Sequence, residues 1–252
     1  MAATRTPELL PAFFAELAAW TEAAAVPFET VRYGGHPDQE YDLRTPAGDA
    51  PHPVAVVVHG GFWRAGFIRA NTDALASALT TAGWTTANIE YRRLGPGRYR
   101  ELLDDVAAAA RGLEADVAIG HSAGGHLALW LAARGGAAAA VALGGVCDLV
   151  AAARAHVGGD AVQEFLGGEP EDVPEAYALA DPGRLVPLRS KQVLVHGAHD
   201  DRVPIENARG YAERARGIGD DCRMLELEDA DHFDVIDPRY AGFSHIVEAI
   251  PH

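Results

Sequence analysis

The sequence predicts an α/β chain, a mainly parallel sheet covered by helices on its faces. From residue 54 onward, short apolar runs alternate with longer stretches of helical composition. Those runs are dense in Val, Ile and Ala rather than alternating apolar with polar, as in strands buried on both faces. Residues able to do chemistry collect just past the ends of the runs, where open parallel sheets gather ligands.

Residues 8–25 carry Leu9, Leu10, Phe13, Phe14, Leu17 and Trp20 at helical spacing, which predicts an amphipathic helix within an N-terminal segment over 1–28. Short strands are expected over 29–34 and 40–46. The run "VAVVVHGG" (54–61) predicts the first buried parallel strand, with others near 84–91, 117–120, 138–145, 191–197 and 222–228. Helices are expected near 71–82, 100–114, 123–134, 205–216 and 239–250. The interval 147–190 breaks this rhythm with Gly158, Gly159, Gly167, Gly168, Pro170, Pro174, Pro182 and Pro187. It predicts a cap or lid inserted after the sixth strand, not a separate domain. Its apolar residues, Val157, Phe165, Leu166 and Tyr177, are expected to line a substrate pocket with Phe62 and Trp63.

The whole chain, 1–252, fits one domain with a soluble globular composition, 48% hydrophobic and 23% charged. A net charge of −15 argues against nucleic acid or an anionic membrane as partner. No apolar run approaches the ~18 residues of a membrane span, and the first twenty residues lack the apolar core of a signal peptide, so the cytoplasm is the expected location. Cys147 and Cys222 are expected to be reduced, with their pairing left open. The oligomeric state stays open, a homodimer included. No dinucleotide or ATP fingerprint occurs, so no cofactor is expected.

Ser122 lies in "AIGHSAGGHLALW" (118–130), where an apolar strand gives way to an apolar helix. A serine there can be a helix N-cap or a nucleophile on a sharp G-x-S-x-G turn. A serine nucleophile needs a base, and the base an acid. His232, past the last strand, and an aspartate at 200 or 201, past the 191–197 strand, fall on the same rim of the sheet. The N–H of Ala123, at a helix N-terminus, and those of Gly61 and Phe62, in "HGGFW", could hold an oxyanion. His59 reads as a histidine that shapes this loop. His121 and His126 read as pocket-lining or packing residues. His196, His199 and Asp200 show no ordered zinc spacing, so no metal site is expected. Arg92 and Arg93 could meet an anionic substrate or pair with acidic neighbours.

"GHSAGG", the upstream "HGGFW", "HGAHDDRVP" and "DHFDVID" together resemble the α/β-hydrolase superfamily over residues 29–250. The loop and the final His-Phe pair are most similar to kynurenine formamidases (arylformamidases) and related small esterases. The resemblance implies an eight-stranded sheet, a Ser122–His232–Asp200 triad with Asp200 rather than Asp201 as the acid, and a serine hydrolase needing no cofactor. It implies an N-formyl aromatic amide as substrate, with a short-chain carboxylesterase as the alternative. A non-catalytic ligand-binding member of the fold is the rival of another class.

Overall fold

The computed structural model describes residues 5–48, 50–93 and 95–251; residues 1–4 of the expected N-terminal segment lie outside them. The chain begins with α1 (Leu10–Ala24), then β1 (Glu29–Arg32), β2 (Glu40–Arg44), β3 (Val54–Val58), α2 (Asp73–Thr81), β4 (Thr85–Ile89), α3 (Tyr99–Ala110) and β5 (Val117–His121). After α4 (Ala123–Ala133) and β6 (Ala139–Leu143) come four short helices, α5 (Leu149–Arg154), α6 (Ala161–Leu166), α7 (Pro174–Ala180) and α8 (Pro182–Leu185). The chain closes with β7 (Lys191–Gly197), α9 (Ile205–Gly217), β8 (Cys222–Leu227) and α10 (Phe243–Glu248).

The described strands form one eight-stranded sheet in the order β1-β2-β4-β3-β5-β6-β7-β8. The pairs β1–β2 and β2–β4 are antiparallel, and every neighbouring pair from β4 across to β8 is parallel. This is the α/β-hydrolase fold. Successive residues of β3 serve opposite faces, as the strand pleat requires. Val56 and Val58 pack with Leu103 of α3, Leu127 of α4 and Phe165 of α6. Ala55 and Val57 pack with Leu17 of α1, Leu79 of α2 and Ile246 of α10. A smaller cluster joins α9 to the far half of the sheet and holds both cysteines as buried free thiols. Burial pushes both thiols up, that of Cys222 to about 11.

Two helices are shorter than the composition suggests. α3 stops at Ala110 because Arg111 turns extended and Gly112 adopts φ +83°. α10 starts only at Phe243, since Pro238 and Gly242 precede it. The 147–190 stretch folds back on α4. The ring Nε2 of His126 donates to Ala180 O at 2.9 Å, and Trp130 Nε1 to Leu179 O at 3.0 Å. Asp181 ties its two ends together by accepting from Leu149 N and Gly183 N. Burial, then the nearby Asp148, raises the Asp181 carboxyl to about 6. Among the described residues no helix is long and apolar enough to cross a membrane.

Candidate active site

The ends of four parallel strands meet at one rim. β3 runs into the loop His59–Trp63, β5 into Ser122, β7 into Asp200, and β8 into the turn that carries His232. Ser122 sits at φ +56°, ψ −119°, a backbone setting that a side chain makes costly, about 1–3 kcal/mol. It occupies the N-cap position of α4, yet among the described residues its side chain makes no capping hydrogen bond. The hydroxyl is therefore not spent on the helix. The flanking glycines are there because chains touch. A Cβ on Gly120 would collide with the carbonyl of Gly124, and one on Gly124 with the carbonyls of Val58 and His59.

The oxyanion-loop candidates form a second strained stretch. Gly61, Phe62 and Trp63 all have left-handed φ, at +108°, +52° and +57°. Packing holds them there. Trp63 stacks on Phe165 with centroids 4.6 Å apart, and its Nε1 donates to His126 Nδ1 at 3.2 Å. A Cβ on Gly60 would lie 2.7 Å from His121 O and 2.9 Å from Ser122 Cβ, so this loop lies directly against the serine. His59 is fully buried beneath it. Its Nδ1 donates to Gly60 O at 2.8 Å, its Nε2 meets Glu90 Oε1 at 2.8 Å, and Tyr91 stacks on its ring. Burial pushes the Glu90 carboxyl up, but His59, the N–H of Arg69 and Arg93 outweigh it and hold the group at about 2.

His232 Nδ1 donates to Asp200 Oδ2 at 2.7 Å. That oxygen also lies 3.2 Å from His196 Nε2, while Oδ1 accepts from Arg202 N and Val203 N at 2.9 and 2.8 Å. Burial alone would raise the Asp200 carboxyl. The hydrogen bonds from His196 and His232 win and hold it well below the usual range, so it stays ionised. Asp201 is 43% exposed and faces Arg202 instead. Ser122 and His232 line one cavity of about 190 Å³. Among the described residues no hydrogen bond joins the hydroxyl to the ring, a looseness common before substrate binds.

Residues 41–214 match the BD-FAE family model, well over half of the chain. The chain belongs to the BD-FAE family. It is 28% identical over 84% of its length to esterase LipC of Mycobacterium tuberculosis (strain ATCC 25618 / H37Rv), of which it spans only 61%. Among solved structures it is similar to esterase 2 of Thermogutta terrifontis, phosphoramylated by tabun, at TM-score 0.68 and 22% identity, covering 88% of this chain and 92% of that one. It is also similar to a putative thioesterase from Silicibacter sp. tm1040, at TM-score 0.73 and 23% identity, covering 98% and 96%. At these identities the solved structures establish the fold alone.

In this BD-FAE chain the remaining sequence candidates divide. His121 lines the cavity, and its Nε2 donates to His232 O at 2.9 Å. Burial and then the His232 ring push its pKa down to about 3, so it is a neutral wall residue. Phe62 lines the same cavity, but Trp63 and Phe165 line a separate one of about 160 Å³ that also borders Phe62. Tyr177 is wholly buried, its hydroxyl donating to Gly168 O. The expected wall from 147–190 is supplied instead by Leu10 of α1 with Phe67 and Phe233. The reason is packing. Phe13 and Phe14 wedge against Phe233, and Arg5 bonds Asp231 at 2.6 Å and Asp234 at 2.8 Å, which clamps the N-terminal segment beside His232. Helical periodicity marked Leu10 only as apolar, and nothing in it shows which face borders a cavity. His196 was legible only as a histidine at a strand end. Arg92 grips Asp105 and Arg93 grips Glu90, so both pair with acidic neighbours.

Proposed function

We propose that this chain is a serine hydrolase that cleaves a small carboxylic ester through an acyl-enzyme. One observation carries the reading: a strained serine with an uncommitted hydroxyl shares a small cavity with a histidine whose far nitrogen is held by an ionised, buried aspartate. Ser122 Oγ attacks the ester carbonyl as its proton passes to His232 Nε2. Asp200 keeps the proton on Nδ1 and stabilises the imidazolium without taking it. The oxyanion is received by the N–H of Ala123, at the start of α4, and by the N–H groups of Gly61 and Phe62, each donor contributing roughly 3–4 kcal/mol where measured in other enzymes. The carbon–oxygen bond breaks, the leaving alkoxide takes the proton from His232, and water activated by the same ring releases the acid.

The esterase relatives support an ester, and the structures of Thermogutta esterase 2 with butyrate or propionate bound support a short acyl chain in a cavity of about 190 Å³. A second reading, an N-formyl aromatic amide, is favoured by one feature, the aromatic wall of Phe62, Phe67 and Phe233. The test joins labelling to a panel. A serine-directed organophosphonate is expected to attach once, at Ser122, and Ser122→Ala to abolish both labelling and turnover. Acetyl and butyryl esters are then competed against N-formyl aryl amides. Faster cleavage of the amides moves the assignment to a formamidase, and activity surviving in Ser122→Ala rejects the mechanism.

A further inference from the structure

Resting on this hydrolase reading, we infer that the preferred substrate carries a carboxylate beyond its scissile bond and that Arg202 receives it. Arg202 lines the cavity of Ser122 and His232, and the other walls away from the reacting groups are Leu10, Phe62, Phe67 and Phe233. The residue is fixed at its backbone and at one guanidinium nitrogen. The backbone N–H donates to Asp200, and Nη2 donates to Arg5 O at 2.7 Å. Nε is buried and makes no hydrogen bond, and among the described residues Nη1 makes none either, so the fork left to a ligand is Nη1 with the second hydrogen of Nη2. Asp201 lies 3.2 Å from Nε, within ion-pair distance but not aligned to accept, and it stands on the solvent side, 43% exposed, where its charge is screened. The neighbouring cation, Arg5, is already committed to Asp231 and Asp234.

A cation in an aromatic cavity selects by desolvation. A neutral ligand that fills the space strips water from the guanidinium and returns no charge for it, an amide at most one neutral acceptor. A carboxylate returns two charge-assisted bonds, because its oxygens match the spacing of the fork. The molecule as a whole carries −15 and repels anions at a distance, so a local receptor is what would admit one.

The experiment compares 3- and 4-carboxyphenyl acetate with their neutral carbamoyl isosteres, each kcat/KM divided by the hydroxide-catalysed rate of the same ester. The wild type is expected to favour the anionic partner by about tenfold in at least one pair. Arg202→Met should bring that ratio close to one, and Arg202→Lys should restore it only in part, since an ammonium has no fork. Binding is read separately in the wild type, with benzoate expected to protect against thermal unfolding at about tenfold lower concentration than benzamide. A normalised ratio at or below one, a ratio that survives in Arg202→Met, or equal binding of benzoate and benzamide overturns the inference while leaving the hydrolase standing. If no ester is cleaved and Ser122 is not labelled, the hydrolase reading fails, and the benzoate comparison still decides whether Arg202 makes this cavity an anion site.

Discussion

At the scale of single residues, two aspartates side by side have opposite fates. Asp200 is saturated with hydrogen bonds and Asp201 looks out to solvent. Asp200→Asn is therefore expected to lower kcat by roughly four orders of magnitude, because the amide favours the wrong histidine tautomer. Asp201→Asn should stay within about fivefold of wild type. Steady-state kinetics on a short-chain ester checks the pair, and the reverse ranking would transfer the role of the acid. The glycines are equally unequal. Gly124→Ala would drive a methyl group into the carbonyls of Val58 and His59, and a loss of about 3 kcal/mol or more is expected in urea unfolding. That Ser122, His232 and an aspartate at 200 or 201 lie on one rim was legible in the sequence because strand ends of a parallel sheet must share it; the choice of Asp200 over Asp201 came from the family resemblance, since strand ends alone do not fix a register to one residue. The unused donors of Arg202 were not legible, since hydrogen-bond satisfaction depends on the path of Arg5, 197 residues away.

At the scale of elements, helices differ in what they can tolerate. α9 presents Gly210 to open solvent with nothing near its absent Cβ. Gly210→Ala should stabilise the protein by about 0.5–1 kcal/mol, read as a rise in the urea midpoint. The helices after β6 and the helix before β1 exchange the roles that composition suggested. Tyr177 is core, so Tyr177→Ala should cost about 3–5 kcal/mol and leave the order of preferred acyl lengths unchanged. Leu10 faces the cavity and is partly exposed, so Leu10→Ala should reorder acyl preference with little change in Tm. Measuring both properties on both variants separates lining from packing. The strands were readable because runs such as that of β3 are buried on both faces. The cap was not, because Gly and Pro mark where a chain turns but not which neighbour it turns toward.

Across the whole molecule, buried imidazoles couple folding to acidity. His126 accepts from the Trp63 indole on Nδ1 and donates to Ala180 O from Nε2, and burial brings its pKa down to about 4. His121 is held near 3. Below their ordinary value of 6.5 the unfolded chain takes up these protons and the folded chain does not, so stability falls as pH drops from 6.5 towards 4. Asp181 acts the other way. Its raised value of about 6 means that stability is gained as pH falls from 6 to 3.8. Between pH 7 and pH 5 a net loss of roughly 2–3 kcal/mol is expected, and His126→Leu should shrink that loss by about 2 kcal/mol. Urea unfolding at the two pH values measures both. The clamp of Arg5 on Asp231 and Asp234 has its own bearing on how such a chain is made. It joins stretches 226 and 229 residues apart, and all eight strands are synthesised between them. A nascent chain has Ser122 and its strained turn well before it has His232 or the partners of Arg5. On the proposed mechanism the attacking machinery is thus completed only after residue 234 has left the ribosome, and an unfinished copy would carry a serine with no base to arm it.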